Sequence, residues 1–124
     1  MNKMNEKIYA VQRATGNKRA VDMKIDKGRF IIDTENNELR WEIESDYKYS
    51  EPGTIVNVGN MKVLTEEAGP WKVNLKINYN VDIWFNNQDV GIKEFEKSPS
   101  PYKLYIENLG RQGEEDNIVI NINE

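Results

Sequence analysis

Residues 71–85 read WKVNLKINYNVDIWF. Every odd position is apolar: Trp71, Val73, Leu75, Ile77, Tyr79, Val81, Ile83 and Phe85. The even positions are Lys72, Asn74, Lys76, Asn78, Asn80, Asp82 and Trp84, so Trp84 alone interrupts a polar face. Successive side chains of a strand point to opposite faces, so a period of two sustained this long predicts β-structure with one face on a core. A helix would spread the same apolar side chains around its axis. The stretch reads as one long strand or as two strands joined at Asn78, Tyr79 and Asn80.

Working outward, residues 8–49 read as a four-strand meander. A turn at Gly16 and Asn17 would face Ile8 with Ile25, Ala10 with Met23 and Gln12 with Val21. A turn at Lys27 and Gly28 would face Ile25 with Phe30 and Met23 with Ile32. A third, at Asn36 and Asn37, would face Ile32 with Trp41, Phe30 with Ile43 and Asp33 with Arg40. Each turn places apolar residues on one common face, and a one-residue slip would turn each set outward.

Beyond the turn at Glu51, Pro52 and Gly53, residues 54–58 and 61–65 form a hairpin about Gly59 and Asn60. Both of its faces are apolar: Val56, Val58, Met61 and Val63 on one, Ile55 and Leu64 on the other. A strand pair of this kind expects cover on both sides, from a second sheet or a neighbouring chain. A turn over Asn86 to Asp89 would face Phe85 with Val90, Ile83 with Ile92 and Trp84 with Gly91. Phe95 falls off that alternation, which predicts a bulge near Lys93 or Glu94. The run Ser98, Pro99, Ser100, Pro101 is a loop. Residues 102–108 and 117–123 are the last strands, with Leu104, Ile106, Ile118, Ile120 and Ile122 inward. No helix is predicted.

The chain has 124 residues, 38% hydrophobic and 31% charged, and suits a single domain over 1–124 with a polar N-terminal arm at 1–6. That arm has too few apolar residues to dock on the core by itself. The net charge of −4 and the lack of a basic run argue against nucleic acid as partner. With no cysteine, neither disulfides nor thiolate chemistry is available. No signal-peptide pattern or membrane-length apolar segment occurs, so a cytoplasmic product that does not engage a membrane is expected. Abundant Asn, Ile and Lys fit an AT-rich bacterial or bacteriophage coding sequence.

Without His or Cys, Ser-His and Cys-His nucleophiles cannot be built, and the commonest zinc ligands are missing. Glu42 and Glu44 share a strand face and could in principle serve acid/base chemistry, but a solvated face explains them more simply. Residues 33–38 (DTENNE) are oxygen-rich, yet they lack the glycine and distal glutamate of an EF-hand and read as a hairpin turn. No catalytic residue, metal site or cofactor is expected.

The sequence therefore predicts an all-β, antiparallel β-sandwich of about ten short strands, immunoglobulin-like or jelly-roll in type, with a closed barrel as the alternative. The expected function is a non-enzymatic binding or assembly module, a small bacteriophage capsid- or tail-associated protein contacting other subunits and becoming part of a virion. Partner contacts are expected at Ile55, Val58, Met61, Leu64 and Trp84, the last either a binding anchor or a cover for Gly91. The alternative is a small-ligand binder for a sugar, lipid or nucleotide-like molecule, lined by Trp41, Tyr47, Tyr49 and Trp71.

Overall fold

The computed structural model describes residues 2–46, 51–68, 71–88, 91–112 and 117–124, with side chains from Met4 onward. In chain order the elements are α1 (Asn2–Val11), β1 (Lys18–Met23), β2 (Arg29–Asp33), β3 (Glu38–Ser45), β4 (Ile55–Val58), β5 (Met61–Glu67), β6 (Trp71–Asn78), β7 (Asp82–Phe85), β8 (Ile92–Glu96), β9 (Tyr102–Arg111) and β10 (Ile118–Asn123). The strands build two packed sheets rather than a barrel: four in the order β1-β9-β10-β7, and six in the order β4-β5-β6-β3-β2-β8. The all-β sandwich is thus what the fold is. One strand pair departs from the antiparallel expectation, since β7 runs parallel to β10.

The founding stretch is two strands, and they belong to different sheets. β6 pairs with β3 and β5 in the larger sheet, whereas β7 lies beside β10 in the smaller one. The alternation survives the change because Val73, Leu75, Ile77, Tyr79, Val81 and Ile83 all remain buried. A row of inward residues crosses the larger sheet as Phe95, Phe30, Trp41, Leu75, Val63 and Val56, each directly opposite the next. Phe30 lies 4.8 Å from the Trp41 ring, while Phe95 sits 5.9 Å from Phe85 and 4.9 Å from Tyr102 of the smaller sheet. These rings join the two layers.

Three hairpins expected from the sequence are replaced, and a fourth is shifted in register. Residues 2–11 are helical, because Met4, Ile8 and Val11 at i, i+4 and i+7 line one helix face and enter the core. The N-terminal stretch is therefore not an undocked arm, and Ile8 has no strand partner. The helix ends where the buried Asn108 amide donates to the Val11 carbonyl at 2.9 Å, satisfying a C-terminal group left over by the helix. Met23 and Ile25 are buried as expected, but β1 pairs with β9, and the chain crosses between sheets before β2. That crossing needs Gly28: its φ is +94°, and a Cβ there would stand 1.8 Å from the Glu42 carbonyl oxygen.

The β2–β3 hairpin forms, with Phe30 opposite Trp41, Ile32 opposite Leu39 and Asp33 opposite Glu38. Its loop is two residues longer than expected, and a shift of two preserves every facing. Asp33 holds the turn by accepting from the Asn36 backbone and side chain at 3.2 and 2.8 Å. The β4–β5 hairpin has the expected register, with Val58 opposite Met61 and Val56 opposite Val63.

After β7 the tight turn closes a single bridge, Phe85 to Gln88, with Asn86 and Asn87 at positive φ. The chain then leaves for the larger sheet, where Ile92 pairs with Asp33 rather than Ile83. β8 runs in unbroken register with β2, so Phe95 needs no bulge: it points inward while Ile92 faces out. The expected partner Val90 lies outside the described residues.

Candidate functional site

The sheet edges decide where this molecule can be extended. β1 and β7 bound the smaller sheet, and β4 and β8 bound the larger. Open edges carry unpaired backbone groups, and proteins normally blunt them with charge, proline or bulges. β1 carries Lys18, Arg19 and Asp22, β8 carries Lys93, Glu94 and Glu96, and β7 carries Asp82. β4, reading Ile55, Val56, Asn57, Val58, carries no charge and no proline. All four residues are exposed, Ile55 by 61%, Val58 by 59% and Val56 by 38%.

Local geometry fixes which backbone groups point outward. Gly59 takes φ +62° as the first of two central turn residues, as a type II′ hairpin requires. In a two-residue hairpin the flanking pair, Val58 and Met61, exchanges hydrogen bonds. Val56 shares that direction, so the N–H and C=O of Ile55 and Asn57 point away from β5. They meet no hydrogen-bond partner among the described residues.

The hairpin is held at both ends. At its base the Gly53 N–H donates to the Thr65 carbonyl at 3.0 Å. At its tip the Asn60 side-chain amide donates to the Tyr9 hydroxyl of α1. Tyr9 in turn packs 6.0 Å from the Tyr79 ring, whose hydroxyl donates to Asn5 Oδ1 at 2.7 Å. Burial, with a smaller contribution from Tyr9, raises the Tyr79 phenol well above its ordinary range and keeps it a neutral donor. The helix missed in the sequence is thus what steadies the exposed hairpin.

The outward face of the larger sheet is charged and carries several ion pairs. Arg29 bonds Glu42 and lies 3.0 Å from Glu94. The hydrogen bond from Arg29, helped by Lys72, holds the Glu42 carboxyl below its ordinary range despite partial burial. The same bond raises Arg29. Glu44, two residues along, is exposed. A carboxyl held ionised beside a guanidinium is poorly placed to act as a general acid near neutrality.

Buried Glu38 lies 3.3 Å from both Lys76 Nζ and Arg40 Nε, and Arg40 Nη2 is 3.8 Å from Asp33. Arg40 Nε forms no hydrogen bond among the described residues, so its approach to Glu38 is a charge contact without hydrogen-bond alignment. Between these charges and β4 lies a hollow of about 350 Å³, lined by Arg40, Glu42, Ile55, Lys62, Leu64 and Lys76 among others.

Of the expected partner residues, Ile55 and Leu64 form one cross-strand pair and Val58 and Met61 another. Trp84 belongs to the other sheet, half-exposed on β7 opposite Asn121. It does not cover Gly91, whose carbonyl accepts from Thr34 in the larger sheet. Trp84 borders a small hollow of about 150 Å³ with Thr34, Glu35, Asn37 and Asp82.

Among the ligand-lining candidates, Trp41 is a core residue stacked on Phe30, and Trp71 is half-buried opposite Ser45 and Glu67. Tyr47 and Tyr49 lie outside the described residues. A hollow of about 650 Å³ is an open cleft whose lining includes Lys27, Arg29, Glu42, Glu44, Lys72 and Glu96.

Sequence reasoning missed Asn108, which is buried and makes four hydrogen bonds. Its amide donates to Val11, Oδ1 accepts from the Gly110 N–H, its carbonyl accepts from the Gly16 N–H, and its N–H donates to the Asn17 carbonyl. Its even position within an alternating strand was the available signal, since Leu104 and Ile106 share its facing. Among the described residues, no group of three or more acidic side chains is gathered that could hold a metal ion, and no helix is long and apolar enough to cross a membrane. The chain matches no protein-family model, no curated protein and no solved structure.

Proposed function

We propose that this chain is a non-enzymatic binding and assembly module that takes another protein subunit at the open edge of β4, by strand addition. The observation that carries this reading is the contrast between edges: β4 alone among the four terminal strands is uncharged, and its outward backbone groups at Ile55 and Asn57 are unpaired among the described residues. An added strand would satisfy those groups and cover Val56 and Val58 on one face and Ile55 on the other. The anchorage of the hairpin at Gly53 and Asn60 lowers the ordering cost of such binding. A small structural protein of a phage particle, assembled into the virion, is the kind of subunit that suits such an edge.

The test replaces Asn57 with proline, which removes an outward donor while sparing the bonds to β5. Asn57→Pro is expected to keep the fold and to be excluded from the native assembly. In the native assembly, the Ile55 and Asn57 amides of the unaltered chain should exchange at least tenfold more slowly than in the isolated chain. Equal exchange rates, or normal incorporation of Asn57→Pro, would refute the reading.

A further inference from the structure

The edge of β4 is not neutral in its surroundings. On the outward face, Lys62 of β5 stands directly opposite Lys76 of β6, and Lys76 directly opposite Arg40 of β3. Three cations therefore adjoin across three strands, in the row that reaches the edge at Asn57. Like charges placed directly opposite one another oppose sheet formation unless anions intervene. Glu38 meets Lys76 and Arg40, and Asp33 also approaches Arg40. Lys62, the cation nearest the edge, forms no ion pair among the described residues. The adjacent outward row ends in the apolar pair Leu64 and Ile55.

Resting on the strand-addition reading, we infer that the segment received by β4 belongs to a different protein and carries an acidic residue beside Asn57, with apolar residues beside Ile55, Val56 and Val58. An antiparallel segment would then read apolar, acidic, apolar, apolar in its own chain direction. Its acidic residue would lie about two strand spacings, roughly 9.6 Å, from the Lys62 backbone. The short Asn57 side chain between them leaves room for a lysine and a glutamate to meet over it. The uncharged edge supplies backbone pairing without discrimination, and Lys62 supplies the discrimination.

A second copy of this chain satisfies the cations less well. A two-fold pairing of β4 with itself about Val56 would set Ile55 of one copy, not a carboxylate, beside Asn57 of the other.

The experiment uses the full-length, isotope-labelled protein and two synthetic peptides at millimolar concentration, identical except for a centre reading Val-Glu-Val-Val or Val-Lys-Val-Val. The glutamate peptide is expected to slow exchange of the Ile55 and Asn57 amides and to bind about fivefold more tightly than the lysine peptide, a preference lost at about 1 M salt. Lys62→Glu, on an exposed strand position, should keep the thermal midpoint and invert the preference. Equal protection by both peptides would overturn the acidic specificity and leave strand addition standing. Protection by neither would overturn both. Self-association that buries β4 and is indifferent to Lys62→Glu would make the partner a second copy and refute this inference.

Discussion

β4 and β7 are both four-residue strands at the end of a sheet, and they are finished in opposite ways. On β7 the Ile83 N–H donates to Asn37 Oδ1 at 2.9 Å, and Phe85 exchanges backbone bonds with Gln88 at 2.9 and 3.0 Å. Its side chains include Asp82, so it is closed to a further strand both chemically and electrostatically. β4 has none of this. Its outward groups are unpaired among the described residues and its side chains uncharged, although a lysine at Ile55 or Val58 would have been accommodated on a surface already so exposed. Edge protection is therefore achieved by single residues, such as Asn37, and where those residues are missing the edge is available for use.

The comparison can be broken most severely through the row that joins the sheet's interior to its margin. Phe30→Ala should cost about 3–5 kcal/mol in chemical denaturation, because Phe30 is fully buried against the Trp41 and Phe95 rings. Val56→Ala, at the far end of the same row, should cost under about 1 kcal/mol. Equal losses would mean that β4 is packed as an interior strand. A smaller effect is expected from Asn37→Gly, which keeps the positive φ of 52° but deletes the acceptor for Ile83. It should cost about 1–3 kcal/mol and convert β7 into a second open edge, seen as faster exchange of the Ile83 amide. Unchanged exchange there would show that Asn37 does not protect the edge.

The smallest effect separates the β4 edge from the interior strand β3 by acid. Glu42 has a folded pKa below its unfolded value, so its contribution is complete above about pH 4.3 and is lost as pH falls through the lower folded value. In urea unfolding followed from neutral pH to about pH 3, Arg29→Met should flatten that loss slightly. The opening free energy of β4 should show no such step, because Ile55 to Val58 carry no titratable side chain. An acid-dependent opening of β4 as large as that of β3 would show that the two respond as one unit.

The alternation revealed much of the core, because facing depends only on odd or even position. Phe30, Ile32, Trp41, Val73, Leu75 and Ile77 are inward even though the β2–β3 turn was placed two residues off. The same property hides which sheet a strand joins. Nothing in the parity of Ile83 distinguishes continuation beside Ile77 from a crossing to β10, and the crossing is what occurred. At the N-terminus two periods competed: Ile8, Ala10 and Gln12 alternate, whereas Met4, Ile8 and Val11 follow a helical stripe. The stripe prevails because it buries three side chains at once. The exposed hairpin was legible as apolar on both faces. Its lack of protection was not, since that depends on which strands stand at the edges.

The crossing from β6 to β7 also sets an order in time. Among the described residues β7 has one strand partner, β10, and residues 86–117 must be synthesised before Ile118–Asn123 can lie beside it. At about 5–20 residues per second this leaves β7 without its partner strand for a few seconds on the ribosome, while five of the six strands of the larger sheet, all but β8, have already been made. Asn37, made well before Ile83, can take the Ile83 N–H during that interval. The side chain that closes the edge of β7 in the finished sandwich can therefore serve first as its guide during biosynthesis.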